Sequence, residues 1–320
     1  MNRKYLPLAA TIVVFVALFV IGGAMYRNFF STLVLGNILA DNAFIIIAAI
    51  GATFVILSGG IDLSIGSMIG FVGVCMAVLD RMGWHPLATA ALMICFGILF
   101  GAAQGFIIDF CDIQPFIVTL AGLFLLRGAC FLVTLDSVPI RHDFVDLYAS
   151  AHIPLPGRGV LRSSAIVMLA SLCLAIFIAH FTRFGTNVYA IGGDKESARL
   201  MGVDIRKTTI GIYAIGGFYS ALAGVVYALY TSSGYPLAGS TLELSAIAAV
   251  VLGGTLLTGG VGMVAGTLFG GMILGLISTL IIFNGSLNSA WIMISSGVLL
   301  FVFIVMHRFL VSSFDLRGTS

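Results

Sequence analysis

A polar, glycine-broken stretch written twice in an otherwise apolar chain limits what this sequence can fold into. Residues 57–70 read Leu57-Ser58-Gly59-Gly60-Ile61-Asp62-Leu63-Ser64-Ile65-Gly66-Ser67-Met68-Ile69-Gly70. Two hundred residues on, the chain reads Leu257-Thr258-Gly259-Gly260-Val261-Gly262-Met263-Val264-Ala265-Gly266-Thr267-Leu268-Phe269-Gly270. With a two-residue shift the likeness extends upstream, where Gly51, Thr53 and Asp41 meet Gly253, Thr255 and Glu243. Adjacent glycines break a helix, because they lose the most backbone freedom on ordering. Inside a membrane such a break survives only where protein or a wet cavity satisfies the freed N–H and C=O groups. A repeat carrying that kind of seam is the usual mark of a transporter.

The membrane itself follows from composition. Hydrophobic residues make up 60% of the chain and charged residues 9%, against about 25% charged in soluble domains. The expected fold is all-α and polytopic, a single membrane domain over 1–320 with repeat units around 33–80 and 242–283. Apolar runs lie at about 6–24, 33–57, 61–80, 87–109, 115–134, 164–181, 208–230, 242–257, 262–283 and 290–309. Each approaches the ~20 residues that cross the hydrocarbon, so about ten spans are expected. The first run is longer than a signal core and lacks a clear small-x-small cleavage site, so it reads as a retained helix. Arg183, Lys195, Arg199, Arg206 and Lys207 crowd the 182–207 connection, and both ends carry basic residues through Arg3, Lys4, Arg308 and Arg317. The positive-inside rule then places both termini and that connection on the cytoplasmic side. The 136–163 connection faces outward, with a Pro154-x-Pro156-Gly157 turn signal. The pattern Gly97-x3-Gly101-x3-Gly105 and its counterparts from Gly262 to Gly275 predict close helix crossings.

Several classes are disfavoured. A net charge of +2 gives no footprint for nucleic acid. The five cysteines are scattered without a CxxC and read as small buried hydrophobes. The five histidines show no metal-ligand spacing. No G-x-x-x-x-G-K-[ST] occurs, so the chain lacks a phosphate-binding loop of that kind, and no Ser/His/Asp or Cys/His set is recognisable.

The candidate working residues are few. Asp62 reads either as the N-cap of a helix starting near Leu63 or as a group in gating or solute contact. Asp41, Asn42 and Glu243 fall near the outward ends of their runs. There they are either solvated carboxylates and amides or partners for sugar hydroxyls, and Phe44 could offer a ring face. Arg127, twelve residues into the run opened by Pro115, needs a partner or a path to the interface. Gln104 and Gln114 pose the same question more mildly. Between glycines, Gly192-Gly193-Asp194-Lys195-Glu196-Ser197-Ala198-Arg199-Leu200-Met201-Gly202 predicts a short helix capped by Asp194 and stopped by Gly202. Ser197, Ala198 and Met201 share a face, so the segment reads as a docking element or as a solvated connector.

Together these residues resemble the permease subunits of ribose-type ATP-binding-cassette importers. The resemblance rests on Phe54 to Ser67, Pro115-Phe116-Ile117-Val118-Thr119-Leu120-Ala121-Gly122, Arg127-Gly128, Tyr189-Ala190-Ile191-Gly192-Gly193, Ser197 to Gly202 and Glu243 to Gly254. It covers essentially the whole chain. Within that family the chain looks most like the galactofuranose permeases, although Ser245 stands where the family usually has Asp. The resemblance implies a bacterial inner-membrane subunit that binds no cofactor itself and works with cassette ATPase subunits that hold the ATP. A periplasmic sugar-binding protein and a second permease subunit, different or identical, complete the implied assembly. The expected substrate pathway comprises Asp41, Asn42, Phe44, Ser58, Gly59, Gly60, Asp62, Ser64, Thr119, Arg127, Glu243, Gly259 and Gly260. The implied coupling element comprises Gly193, Asp194, Glu196, Ala198, Arg199, Met201 and Gly202. An ion-coupled transporter using Asp41, Asp62 or Glu243 is the competing reading. A membrane-embedded structural or enzymatic protein is the third.

Overall fold

A computed structural model of the protein describes residues 6–315 apart from 286 and 289. In chain order it contains α1 (Leu6–Met25), α2 (Thr32–Asp41), α3 (Ala43–Leu57), α4 (Ile65–Arg81), α5 (Pro86–Phe110) and α6 (Pro115–Val133). An irregular segment follows, with β1 (Val138–Pro139), α7 (Asp143–Ser150), β2 (His152–Pro154), a 3-10 turn (Pro156–Arg158) and β3 (Val160–Arg162). The remainder is α8 (Ser163–Phe181), α9 (Arg183–Gly193), α10 (Lys195–Leu200), α11 (Ile205–Thr231), β4 (Ser233–Gly234), α12 (Leu242–Leu252), α13 (Val264–Asn284) and α14 (Ala290–Asp315). Arg3, Lys4 and Arg317, which carry part of the orientation argument, lie outside the described residues.

Every expected apolar run carries a helix. Among the described residues, α1, α5, α6, α8, α11 and α13 are long and apolar enough to cross a membrane, and α2 with α3 makes a seventh span bent by 57°. The bend at Asn42 was not anticipated. The seams shorten the neighbouring helices: α4 begins only at Ile65, α12 stops at Leu252 and α13 begins at Val264. The cause is local, since Gly59, Gly254, Gly259 and Gly260 all have φ between +73° and +87°, where a helix cannot continue.

The core is built around α3, which is apolar all round and buried from Ile46 to Leu57. A helix without a polar face must be covered on every side, and α8, α11, α12 and α13 cover it. The two repeats interlock there. The Thr53 hydroxyl of α3 lies 2.7 Å from the Thr267 hydroxyl of α13. Under the repeat alignment the mirrored pair is Ser67 with Thr255. Ser67 instead donates to the Ser64 carbonyl at 2.8 Å, and the buried Thr255 hydroxyl has no partner among the described residues. The halves are alike in path and unlike in bonding.

The predicted glycine stripe on α5 does what its spacing implies. A Cβ on Gly101 would run into the Tyr213 carbonyl, and Gly97 faces Gly217 in the same way, so α5 and α11 cross backbone to backbone. At one end of the bundle lie both seams, the α5–α6 turn, α9 and α10. The opposite end holds the 134–162 segment, where β1 pairs with β4 and β2 with β3, both antiparallel. Gly157, with φ +81°, makes the expected turn between Pro154 and Val160.

Candidate functional site

The two seams meet. The Gly260 N–H donates to the Leu57 carbonyl at 2.8 Å, joining the second seam to the end of α3. A Cβ on Gly259 would lie 2.8 Å from the Gly59 nitrogen and 3.0 Å from the Gly192 carbonyl oxygen. Gly192, near the end of α9, presses on the same spot: a Cβ there would run into the Leu57 carbonyl and come within 2.5 Å of the Gly260 nitrogen. Tyr189, one turn earlier, donates its hydroxyl to the Gly262 carbonyl at 3.0 Å. Three glycine-bearing backbones therefore share one junction, and α9 was absent from the sequence reading. The seams, expected to line a central pathway, pack on each other and on α9, and Ser58, Gly59 and Gly60 border a cavity of about 280 Å³.

From this junction α10 projects. Asp194 caps it, Oδ1 accepting from the Ser197 N–H at 2.7 Å. Hydrogen bonds from the Ser197 side chain and backbone hold the Asp194 carboxyl below the usual carboxylate range. The cap is thus complete above the unfolded pKa of about 3.9 and is lost only as pH falls through the lower folded value. Gly202, with φ +85°, ends the helix, and Val203 N–H closes on the Ala198 carbonyl at 3.1 Å. One assignment needs correction. Ala198 does not share an outward face with Met201: it is fully buried, whereas Leu200 and Met201 are 89% and 72% exposed. The i, i+3 spacing was right for a helix, but Ala198 faces α9 and α11, and Met201 is already the C-cap residue. Glu196 and Arg199 are exposed beside the tip.

Asp62 sits just past the first seam and is 4% exposed. It is not the N-cap itself. Ser64 takes that position, while Asp62 Oδ1 accepts from the Ser64 N–H at 2.8 Å and the Ser64 hydroxyl at 2.7 Å. The carboxylate organises the turn before α4, two residues earlier than a capping side chain would. Thr119 of α6 anchors the same turn, with Oγ1 3.1 Å from the Ile61 carbonyl. Ser58 Oγ donates to Val55 at 2.7 Å, closing α3. Glu243 packs its carboxylate on Gly66 in the first turn of α4, where the positive end of the helix favours a negative group. Glu243 therefore lies against the first repeat, and its Oε2 has no hydrogen-bond partner among the described residues.

Asp41 and Asn42 occupy the α2–α3 bend but face different neighbours. Asp41 is exposed and accepts from the Tyr230 hydroxyl at 3.0 Å. Phe44 stacks edge-on with Tyr227 at 4.9 Å and lies 6.3 Å from Tyr230. Sequence reasoning missed both tyrosines, because nothing in the spacing of α11 shows which of its faces meets α3. Asn42 Nδ2 donates to the Ile38 carbonyl at 2.8 Å, and its side chain lies against Gly275. It also lines a groove of about 460 Å³ between α3, α12, α13 and α14, whose polar members include Thr241, Ser245 and Ser278.

Arg127 has a partner rather than a path to the interface. Its Nη1 donates to the carbonyls of Pro236 at 2.6 Å and Ala238 at 2.8 Å. These belong to the 235–241 segment, which runs back along α4 past Gly70 and Gly66. Arg127→Met should cost about 2–3 kcal/mol of stability, the loss expected for hydrogen bonds to a charged donor, and Arg127→Lys should recover part of it. An unchanged melting temperature of the purified Arg127→Met protein would show that the clamp contributes nothing.

Known proteins share this pattern. The family model described as "Branched-chain amino acid transport system / permease component" matches residues 34–305. The inner membrane ABC transporter permease protein YjfF of Escherichia coli K12 is 50% identical over 100% of this chain and 97% of its own length. The ribose import permease protein RbsC of the same strain is 36% identical over 87% of this chain and 86% of its own. The fructose import permease protein FruG of Bifidobacterium longum is 31% identical over 96% and 92%. No solved structure matches the chain. Two seams joined beneath a short capped helix, in a bundle of apolar spans, thus belong to a chain that is a member of the family of branched-chain-amino-acid-type transport permease components.

Proposed function

We propose that this chain is the permease subunit of an ATP-binding-cassette importer that carries a monosaccharide across a bacterial inner membrane. The observation that carries the reading is the glycine junction under α10. The chain has no phosphate-binding loop, so energy must reach it by contact. A capped helix with an exposed apolar tip, rooted where both repeats touch, receives a push and passes it to both halves. ATP then binds and is hydrolysed on partner ATPase subunits, which seat Leu200 and Met201. That end of the bundle is cytoplasmic, as are both termini, in line with the basic residues of the 182–207 connection.

Sugar as the cargo is supported by the relatives named for ribose and fructose import and by Asp41 with its aromatic neighbours. A carboxylate accepts from hydroxyls, and aromatic rings cover the apolar face of a sugar. Galactofuranose is the first sugar to test, with ribose, xylose and fructose beside it. On the outer face a cavity of about 530 Å³ is lined by Asp80, Arg81, Pro139, Arg141 and His142. Its two guanidinium groups suit acidic residues of a periplasmic binding protein. A second permease subunit completes the pathway.

The deciding experiment is uptake by right-side-out membrane vesicles or proteoliposomes that contain the assembled complex and enclose ATP. Uptake should require ATP and persist when proton and sodium gradients are collapsed. Uptake that follows an ion gradient and ignores ATP would replace this reading with the ion-coupled one. Arg141→Glu should weaken binding-protein affinity at least about tenfold, since reversing a paired charge leaves like charges facing. Unchanged affinity would move the docking face elsewhere.

A further inference from the structure

Where α5 ends and α11 begins, the surface carries a cation that no acidic group neutralises. Arg206, the second residue of α11, is exposed. Its guanidinium lies over two rings, with Cζ 5.1 Å from the Phe106 centroid and 5.5 Å from that of Phe110. The two rings stack on each other at 5.3 Å and 9°. A ring face attracts the charge but takes up none of the guanidinium's N–H donors in ordinary hydrogen bonds, so these remain for an anion. Among the described residues Arg206 makes no ion pair within 4 Å, since Asp204 is held by Lys207 at 2.9 Å. Asp109 and Asp112 line the cavity beside the first seam instead. The rings are themselves exposed, Phe110 by 64%. They continue a stripe on α5 of Leu99, Ala103, Phe106 and Phe110, all exposed and at helical spacing. That stripe is about 16 Å long, roughly half of the ~30 Å hydrocarbon core. It has the depth of one leaflet.

We propose that this face binds one anionic phospholipid of the leaflet on the α10 side, with its phosphate on Arg206 and an acyl chain along the stripe from Phe110 to Leu99. A guanidinium fork matches two phosphate oxygens at once, and a cation at the end of an apolar stripe complements both parts of such a lipid. A zwitterionic headgroup brings its own cation and gains less from Arg206. A stripe sunk to the depth of a leaflet is also out of reach of a soluble protein. Arg206 follows α10 by only a few residues, so the bound lipid ties the root of that helix to the membrane. That this leaflet is the cytoplasmic one rests on the reading above. The binding itself does not.

The test is native mass spectrometry of the detergent-purified permease, titrated with phosphatidylglycerol and, separately, with phosphatidylcholine. The first phosphatidylglycerol should bind the wild type about tenfold more tightly than phosphatidylcholine does, the worth of hydrogen bonds between charged groups. Arg206→Gln should abolish that preference. Arg206→Lys keeps the charge without the fork and should retain part of it. Phe110→Leu keeps the apolar stripe and removes a ring face, which should weaken phosphatidylglycerol about threefold. The ratio of the two lipids is the readout, because general damage to the protein lowers both together. Equal binding of the two lipids by the wild type overturns the proposal, as does an undiminished preference in Arg206→Gln. Displacement of phosphatidylglycerol by an equal concentration of inorganic phosphate would make this a phosphate site and sink the lipid. A permease dimer present in the wild type and lost in Arg206→Gln, with the lipid preference intact, would give the face to a second copy of the chain instead.

Discussion

Gly192→Ala cuts uptake roughly ten- to hundredfold while Gly193→Ala leaves it near wild type: that is the expected result at adjacent positions of the same helix end. Both glycines close α9, and helix propensity alone favours alanine at each by about 1 kcal/mol. The difference is what a methyl group meets. At Gly193 a Cβ would meet nothing within 4 Å among the described residues, whereas at Gly192 it runs into the Leu57 carbonyl and the Gly260 nitrogen. Both atoms are backbone, and they bond to each other at 2.8 Å, so neither can rotate aside as a side chain could. Forcing the junction apart costs about 1–3 kcal/mol, the usual penalty for overpacking, and the loss of uptake should be roughly ten- to hundredfold. Gly259→Leu should act likewise, adding the strain of a side chain at φ +86°. Gly59→Leu differs in kind. Its Cβ meets only the Thr258 carbonyl, at 3.6 Å, so its effect comes mainly from its own φ of +82°. Membrane abundance must be measured alongside uptake. Normal transport by Gly192→Ala at normal abundance would remove the junction from the mechanism.

The second large effect is expected at the tip of α10. Leu200→Asp and Met201→Asp should each strip the ATPase from the tagged permease during purification and silence uptake, with the permease still inserted. Both side chains are exposed and apolar on a rigid, doubly capped helix, the form of an interface anchor. Truncating such an anchor costs about 2 kcal/mol or more, roughly thirtyfold in affinity. Placing a charge in the partner's cleft costs further, because a buried unpaired charge is not compensated. Ala198→Asp belongs to another class. Ala198 is sealed inside the permease, so that variant should damage α10 itself and lower protein abundance. If Leu200→Asp and Met201→Asp both retain the ATPase and transport normally, α10 is not the coupling element.

Much of the architecture was legible before any coordinates. Composition implied the membrane, and ten apolar runs yielded helices at each. The glycine stripe on α5 foretold a close helix crossing, and the fold makes it with α11. Asp194 and Gly202 marked the start and stop of α10, since caps and left-handed stops depend on residues a few positions apart. The seams were visible for the same reason: paired glycines break helices wherever they fall.

What the sequence could not reach is which surfaces meet. Arg127 called for a partner, yet only the fold brings the carbonyls of Pro236 and Ala238 to it across more than a hundred residues. Asp41 and Glu243 align in the repeat, but tertiary packing gives one a tyrosine hydroxyl and the other the first turn of α4. The periodicity of α10 offered Ala198 and Met201 as one face, and the rotation of the helix against α9 and α11 buried the first and exposed Leu200 with the second. Local chemistry fixes where a backbone can bend or be capped, because those energies are spent within one turn. The joining of Gly59, Gly192 and Gly259 at a single point depends on three segments far apart in the chain, and only their packing together decides it.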